Sequence, residues 1–106
     1  MVNVEWTSAA YSDFTEICLH ASSREERDSI QQATHEIDRL LQISSTTAGE
    51  KVFAGQLEPA TMILLWSRQG SIPEISRRVR LGPIEVYYTD HEDEGRAIVW
   101  CLRLRI

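Results

Sequence analysis

The sequence has few of the residues that cross-link small proteins. Its 106 residues contain two cysteines, Cys18 and Cys101, which form neither a CxxC motif nor a metal-ligand spacing. A disulfide framework and a structural zinc site are therefore excluded, and we expect free thiols. Because HExxH, P-loop and dinucleotide-binding motifs are absent as well, we expect no metal and no other cofactor.

Long hydrophobic runs are also absent. The run Met62–Trp66 has five residues, whereas a membrane-spanning helix needs about 20. The first residues, Met1–Glu5, reach a charge at once, unlike a signal peptide. These features predict a cytoplasmic protein without a membrane segment. Exposure of Met62–Trp66 would favour a homodimer, because large apolar patches seldom stay uncovered.

Positive charge is scarce in the first half of the chain. Residues 1–58 have four Lys/Arg against ten Asp/Glu, a net charge of −6, while residues 59–106 have seven Arg against six Asp/Glu, a net of +1. The acidic half argues against a general nucleic-acid binder, which needs a basic surface. A local basic patch in the second half stays open, and an acidic surface would suit a basic protein partner.

The N-terminal half predicts a strand and two helices. Val2, Val4 and Trp6 alternate with polar residues, which is typical of a half-buried strand. Thr7 or Ser8 then stands where a helix N-cap belongs. The apolar stripe of the first helix, at helical spacing, consists of Ala10, Phe14, Ile17, Cys18 and Ala21.

Two overlapping capping boxes begin the second helix, Ser22-x-x-Glu25 and Ser23-x-x-Glu26. Its apolar stripe consists of Ile30, Ala33, Ile37, Leu40 and Leu41. The two patterns predict an antiparallel helix pair with a tight joint. We expect a polar loop over Ser44–Gly49.

Residues 50–75 have the least regular pattern. Met62–Trp66 fits a buried strand or a short helical turn, which periodicity cannot separate. Pro59, Gly70 and Pro73 punctuate the segment. We expect an irregular insertion with one extra strand, which covers the face of the C-terminal sheet that the helices leave open or extends an edge of that sheet. The whole chain, residues 1–106, is expected to be one domain.

The C-terminal part predicts three antiparallel strands, Ser76–Leu81, Ile84–Asp90 and Arg96–Arg105. A tight Gly82-Pro83 turn and the acidic loop His91–Gly95 connect them. Pairing across the turn puts Arg80 opposite Glu85 and Arg78 opposite Tyr87, and pairing Asp90 with Arg96 continues the ladder without a bulge. The face expected to pack on the helices is Val79, Leu81, Ile84, Val86, Tyr88, Ile98, Trp100, Leu102 and Leu104. The face expected to stay open is Arg78, Arg80, Glu85, Tyr87, Thr89, Ala97, Val99, Cys101, Arg103 and Arg105.

The open face contains the candidate chemistry. Guanidinium groups bind phosphate in a forked geometry, and a tyrosine can stack on a base or donate a proton. The alternative is a solvated face on which Glu85 pairs with an arginine and Tyr87 is an ordinary cross-strand aromatic. Cys101 has no neighbouring base, so we expect it to be a small buried hydrophobe.

These elements resemble those of the RelE/ParE toxin superfamily. Val2–Phe14 resembles the start of the family, Arg77–Tyr88 its basic hairpin and Ile98–Arg103 its last strand, and the likeness covers residues 1–49 and 76–105. The resemblance implies an α+β fold of the order β-α-α-β-β-β. An N-terminal strand and an antiparallel two-helix hairpin then pack on one face of a mostly antiparallel C-terminal sheet.

The resemblance also implies a function. RelE-type members cleave messenger RNA on the ribosome, where a ribose 2′-hydroxyl attacks the adjacent phosphate, and ParE-type members bind and inhibit gyrase. An antitoxin normally masks both, in type II toxin–antitoxin systems that include plasmid stabilisation modules. Carried over to this sequence, the catalytic residues are Arg78, Arg80, Tyr87 and Arg103. The residues that bind nucleic acid or a partner are Arg77, Arg105 and Lys51.

Three features depart from the family pattern. Glu85 stands where an arginine is common, the sequence ends at Ile106 without a tail that supplies a terminal acid, and residues 50–75 are longer than the usual connection. We therefore expect a toxin-like component that acts on RNA, on translation or on a bound target through the open face. The alternative is a catalytically silent protein-binding module, gyrase-inhibitor-like or a degenerate toxin.

Overall fold

The computed structural model describes residues 1–70 and 75–105. The elements in these residues are β1 (Asn3–Trp6), α1 (Ser8–Leu19), α2 (Arg24–Ala48), β2 (Glu50–Phe53), α3 (Pro59–Gln69), β3 (Ile75–Leu81), β4 (Ile84–His91) and β5 (Arg96–Leu104). The strands form one sheet in the order β1-β5-β4-β3-β2, in which β1 runs parallel to β5 and the other pairs are antiparallel. This architecture confirms the predicted α+β fold class.

Both predicted helix starts are found. The Thr7 hydroxyl accepts a hydrogen bond from the Ala10 amide (3.2 Å) and donates one to the Val99 carbonyl (2.9 Å), so it caps α1 and ties it to β5. At α2 the N-cap is Ser23, and the predicted second capping box forms in part, with the amide of Ser22 in place of that of Ser23. Ser23 accepts from the Glu26 amide (3.0 Å), and the Glu26 carboxylate accepts from the Ser22 amide (2.8 Å).

Helix α2 is longer than predicted. The expected loop over Ser44–Gly49 is wrong, because the helix continues to Ala48 across a non-helical residue at Ser44 (φ −147°, ψ 53°). This last turn is held by buried contacts, since the Ser45 hydroxyl donates to Asp90 (2.8 Å) and Ala48 packs on the core. The predicted stripe of α2 is also wrong at Leu40, which is 40% exposed while the other four members are buried.

Helices α1 and α2 pack on one face of the sheet. The buried residues of this main core are Ala10, Ile30, Ala33, Ile37, Leu41, Val79, Ile84, Val86, Tyr88, Ala97, Val99 and Leu102. The Tyr88 hydroxyl donates to the Ser45 carbonyl (2.6 Å) and accepts from the Gly49 amide (3.0 Å). A Cβ at Gly49 would lie 2.8 Å from that hydroxyl oxygen, so the close approach needs glycine.

The register of the hairpin β3–β4 is the predicted one, with Arg80 opposite Glu85 and Arg78 opposite Tyr87. The bulge-free register of β4–β5 is wrong. A bulge lies where Tyr87 pairs with Cys101 and Tyr88 with Val99, so Trp100 is the extra residue.

The bulge reverses the side-chain alternation of the first half of β5. Ala97 and Val99, which were expected on the open face, are buried against the helices. Trp100, expected under the helices, instead packs in a second cluster on the opposite face, and Ile98 pairs with Thr89 there. One inserted residue is enough for this change, because strand side chains alternate with a period of two.

Residues 50–70, the described part of the predicted insertion together with Ile75, are more regular than predicted. Strand β2 pairs with β3 and extends the sheet edge, while α3 lies on the face opposite α1 and α2. Met62–Trp66, interpreted as a strand or a short turn, lies inside α3. The helix begins at Pro59 and ends before Gly70, whose φ of 74° suits a C-cap glycine. The predicted punctuation at Pro73 lies outside the described residues.

Candidate functional site

Four of the predicted site residues lie on one face of the sheet. Arg78 and Arg80 come from β3, Tyr87 from β4 and Arg103 from β5, and cross-strand pairing puts them on the side opposite α1 and α2. Three of them meet Glu85 at the centre of this face. We call Arg80, Glu85, Tyr87 and Arg103 the arginine cluster.

Glu85 is 5% exposed and is bound by two arginines. Its Oε2 accepts from Arg80 Nε (2.9 Å) and its Oε1 from Arg103 Nε (2.5 Å). Burial by itself would raise the pKa of this carboxyl, but the hydrogen bonds from Arg103 and Arg80 outweigh it and lower the pKa below the ordinary value. Glu85 is therefore a stable anion at neutral pH.

All three nitrogen atoms of the Arg103 guanidinium donate hydrogen bonds. Besides Glu85, Nη1 donates to Thr61 Oγ1 (2.6 Å) and Nη2 to the Tyr87 hydroxyl (3.0 Å), and the guanidinium carbon lies 5.2 Å from the centre of the Tyr87 ring. Burial lowers the pKa of Arg103, while the Glu85 hydrogen bond and nearby Tyr87 raise it by more. The guanidinium is thus a fixed positive charge in a defined orientation.

A cavity of about 210 Å³ lies next to this cluster. Its walls are Glu58, Arg80, Glu85, Arg103 and Arg105, three guanidinium groups and two carboxylates. Pockets for drug-sized ligands usually measure about 300–1,000 Å³. The cavity is therefore suited to a small anion such as a single phosphate group, and we call it the arginine cavity.

Helix α3 covers much of the face that was expected to be open. Leu65 is fully buried against Tyr87 and Cys101, with Leu57, Leu64 and Trp100 partly buried around them. The expectation of an exposed Tyr87 that could stack on a base is wrong, because this ring is 1% exposed. Cys101 is a small buried hydrophobe, as expected, and its pKa is raised to about 11 by burial and then by Asp13.

The other predicted residues are not members of the arginine cluster, although Arg105 lines the arginine cavity and Arg78 is paired with Tyr87. Arg78 donates from Nε (3.0 Å) and Nη2 (2.7 Å) to Glu50 on the edge strand. Burial lowers its pKa, and the hydrogen bonds with Glu50 and Tyr87 raise it by more. Lys51 and Arg77 pair with each other in the ladder β2–β3, so they lie on the opposite side of the sheet, where Arg77 donates to the Gly49 carbonyl (2.9 Å).

The sequence interpretation missed two groups that shape the site. Thr61 holds Arg103, and Arg68 forms a two-pronged ion pair with Asp13 of α1 (2.5 and 2.8 Å). The signal was present as Thr61, Leu65 and Arg68 at positions i, i+4 and i+7, which is one face of a helix. The continuous apolar run Met62–Trp66 obscured it.

The part of the chain that the structure describes has neither a metal-ligand cluster nor a membrane-spanning helix. There, no three His, Cys, Asp or Glu side chains lie close enough together to hold a metal ion. No helix in the same residues is long and apolar enough to cross a membrane.

Comparison with known proteins gives matches at the level of structure alone. No family model and no curated protein matches the sequence. The RelBE2 toxin–antitoxin complex from Mycobacterium tuberculosis matches with a TM-score of 0.54 and 12% identity, over 98% of this chain and 98% of that chain. A copper-bound mutant toxin from Helicobacter pylori matches with a TM-score of 0.56 and 12% identity, over 99% of this chain and 96% of that chain.

Proposed function

We propose, from the premise that this chain has the RelE/ParE-like toxin fold, that it is the toxin-like component of a toxin–antitoxin pair and binds phosphate groups of RNA in the arginine cavity. The observation that supports this most is the convergence of Arg80, Arg103 and Arg105 on one small concave site. Guanidinium forks suit phosphate oxygens, and concave sites strengthen the field of like charges.

The local charge of the cavity is favourable although the whole chain is acidic. Its three arginines exceed Glu58 and Glu85 by one positive charge. Arg105 is exposed, and one of its donors binds the Gly82 carbonyl (3.3 Å). A phosphate would therefore first meet Arg105 and Arg80 at the rim.

An endoribonuclease step needs more than this cavity. An attack by a ribose 2′-hydroxyl requires a group that donates or accepts a proton beside the phosphate. Glu85 is the nearest such group to Arg103, but its carboxylate is already bound by two arginines. The Tyr87 hydroxyl lies 3.0 Å from Arg103, but α3 and Leu65 cover it. The arrangement supports phosphate binding as it stands, and RNA cleavage on the ribosome only after α3 moves.

The proposal includes an antitoxin as partner, because the M. tuberculosis structure is a toxin–antitoxin complex. The proposed place of action is the cytoplasm, where RNA and ribosomes are found. A homodimer stays a prediction. It is supported by Ile63 and Trp66 on the outer side of α3, which are 62% and 46% exposed.

A catalytically silent binding module is the second candidate. It is favoured by Glu85, whose carboxylate already occupies the Nε donors of Arg80 and Arg103. Such a protein would act by contact with a protein target such as gyrase, and the arginines would stabilise the fold. Substitution of the cavity arginines would then change stability more than activity.

Expression of the chain with and without its neighbouring reading frame tests the proposal. We expect the chain expressed alone to arrest growth and the neighbouring reading frame to relieve the arrest. The double substitution R80A/R105A should raise the viable count during arrest at least tenfold. The matched control is Arg96→Ala, which removes an arginine paired with Glu5 and Glu94 at the other end of β5. It should leave the arrest unchanged.

Two results would contradict the proposal. One is the absence of arrest when the expressed protein is shown to be folded. The other is arrest that R80A/R105A leaves intact, which would favour the silent module acting through a different surface.

A further inference from the structure

Among the residues that the structure describes, one edge of β5 has no strand partner beyond residue 99, since β1 pairs with Arg96–Val99. Two side chains, which come from helices on opposite faces of the sheet, bind backbone groups of this edge. Asp13 of α1 accepts from the Leu102 amide (3.1 Å), and Arg68 of α3 donates to the Trp100 carbonyl (3.0 Å). Free sheet edges are normally covered in this way.

The same two residues hold each other. Arg68 Nη1 and Nη2 donate to the two carboxylate oxygens of Asp13 (2.5 and 2.8 Å), and both side chains are less than one-fifth exposed. The fork joins α1 to α3 around the edge of the sheet. It is the attachment of the C-terminal end of α3, and bidentate pairs of this kind are the stronger ones.

Within the described residues, the N-terminal end of α3 is attached by the hydrogen bond from Arg103 to Thr61 (2.6 Å). Between the two ends, Leu65 is buried on Tyr87 and Cys101. The outer side of the helix carries the exposed residues Ile63 and Trp66. Few contacts therefore hold α3, and segments with few buried contacts open at a lower free energy than the whole fold.

We propose that α3 is a cover held over the arginine cluster by the Asp13–Arg68 fork and the Thr61–Arg103 hydrogen bond, and that it opens as a unit to expose Tyr87 and Arg103. Opening turns a site that admits a single phosphate into a groove that admits a phosphodiester chain. That choice of ligand rests on the proposed function, whereas the cover is a property of the fold.

Cys101 is a natural reporter of this motion. It is 1% exposed beneath Leu65, and Cys18, the other free thiol, lies on the helix side of the sheet. Mass spectrometry after reaction with a small thiol reagent measures the two labelling rates separately in one sample. Opening of α3 accelerates labelling of Cys101 alone, while global unfolding accelerates both thiols.

We expect Arg68→Ala to accelerate labelling of Cys101 at least tenfold, because it removes a charged hydrogen-bonded partner. Thr61→Val should accelerate it less, and the control Arg96→Ala should leave it within twofold. In the native protein the labelling rate of Cys101 should depend on urea far more weakly than global unfolding does, because a small opening exposes little surface.

Three results would each overturn the proposal that α3 is a cover. They are equal acceleration of labelling at Cys18 and Cys101, a urea dependence of Cys101 labelling equal to that of global unfolding, and no acceleration of labelling in Arg68→Ala. None of these results depends on toxin activity. Faster Cys101 labelling without growth arrest in any variant would keep the cover and remove the proposed function. Growth arrest together with unchanged Cys101 labelling in Arg68→Ala would remove the cover and keep the proposed function.

Discussion

Glu85 lies directly opposite Arg103 in the ladder β4–β5, and its carboxylate accepts a 2.5 Å hydrogen bond from Nε of that arginine. The other carboxylate oxygen accepts from Arg80 (2.9 Å). A buried carboxylate thus occupies the position between two guanidinium groups that a phosphate would favour. Glu85 both holds the arginines in place and competes with an incoming anion.

Replacement of Glu85 by Gln tests both roles. The amide keeps the shape but loses the charge, so we expect inorganic phosphate to bind at least about tenfold more tightly, measured by titration calorimetry. The unfolding free energy should fall by about 1–3 kcal/mol, because two arginines lose a charged acceptor. Urea unfolding measures this loss.

The matched control is Glu50→Gln on the edge strand. Glu50 also binds an arginine, Arg78, but its side chain is mostly exposed. Its replacement should change the unfolding free energy by less than about 0.5 kcal/mol. Unchanged phosphate affinity in Glu85→Gln would show that the carboxylate does not compete.

The unfolding free energy should depend on pH in a way that Glu85 determines in part. Its pKa is lower in the folded protein than the ordinary glutamate value of about 4.3. The unfolded chain therefore takes up the proton first, and the stabilisation is complete above that value and is lost as the pH falls through the lower, folded pKa. Urea unfolding between about pH 3 and pH 7 should show a loss below about pH 4 that is smaller in Glu85→Gln. Parallel curves for the two proteins would contradict this assignment.

Tyr88→Phe should destabilise the junction of α2 and the sheet. The hydroxyl donates to the Ser45 carbonyl and accepts from the Gly49 amide (2.6 and 3.0 Å), and its removal leaves both groups without that partner. We expect a loss of about 1–3 kcal/mol in thermal or urea unfolding. Tyr11→Phe, at an exposed ring, is the control and should have no measurable effect. A neutral Tyr88→Phe would mean that water replaces the hydroxyl.

Whether the register of a strand pair could be predicted from the sequence depended on the turn that connects the two strands. The two-residue turn Gly82-Pro83 fixes the register of β3–β4, so the alignment of Arg80 with Glu85 could be predicted. The loop before β5 contains a short 3-10 turn at Glu92–Glu94, and the bulge follows at Trp100. Neither has a sequence signal that sets the register of the last strand.

Helix α3 was missed for a different reason. Thr61, Leu65 and Arg68 face the sheet, but Ile63 and Trp66 are apolar and exposed on the outer side. A helix that is apolar on both sides lacks the amphipathic period that identifies helices in a sequence. The arginine face could be predicted from alternation, whereas the apolar outer side of α3 obscured the helical spacing of Thr61, Leu65 and Arg68.

The parallel pairing of β1 with β5 also affects when this protein can fold. Asn3–Trp6 have their strand partners at Arg96–Val99, so the first strand of a nascent chain waits for almost the whole sequence before it can pair. Contacts between such distant residues slow folding, since a long loop must close first. Arg103 is translated later still, so the arginine cavity cannot be assembled while the ribosome is still making the helices.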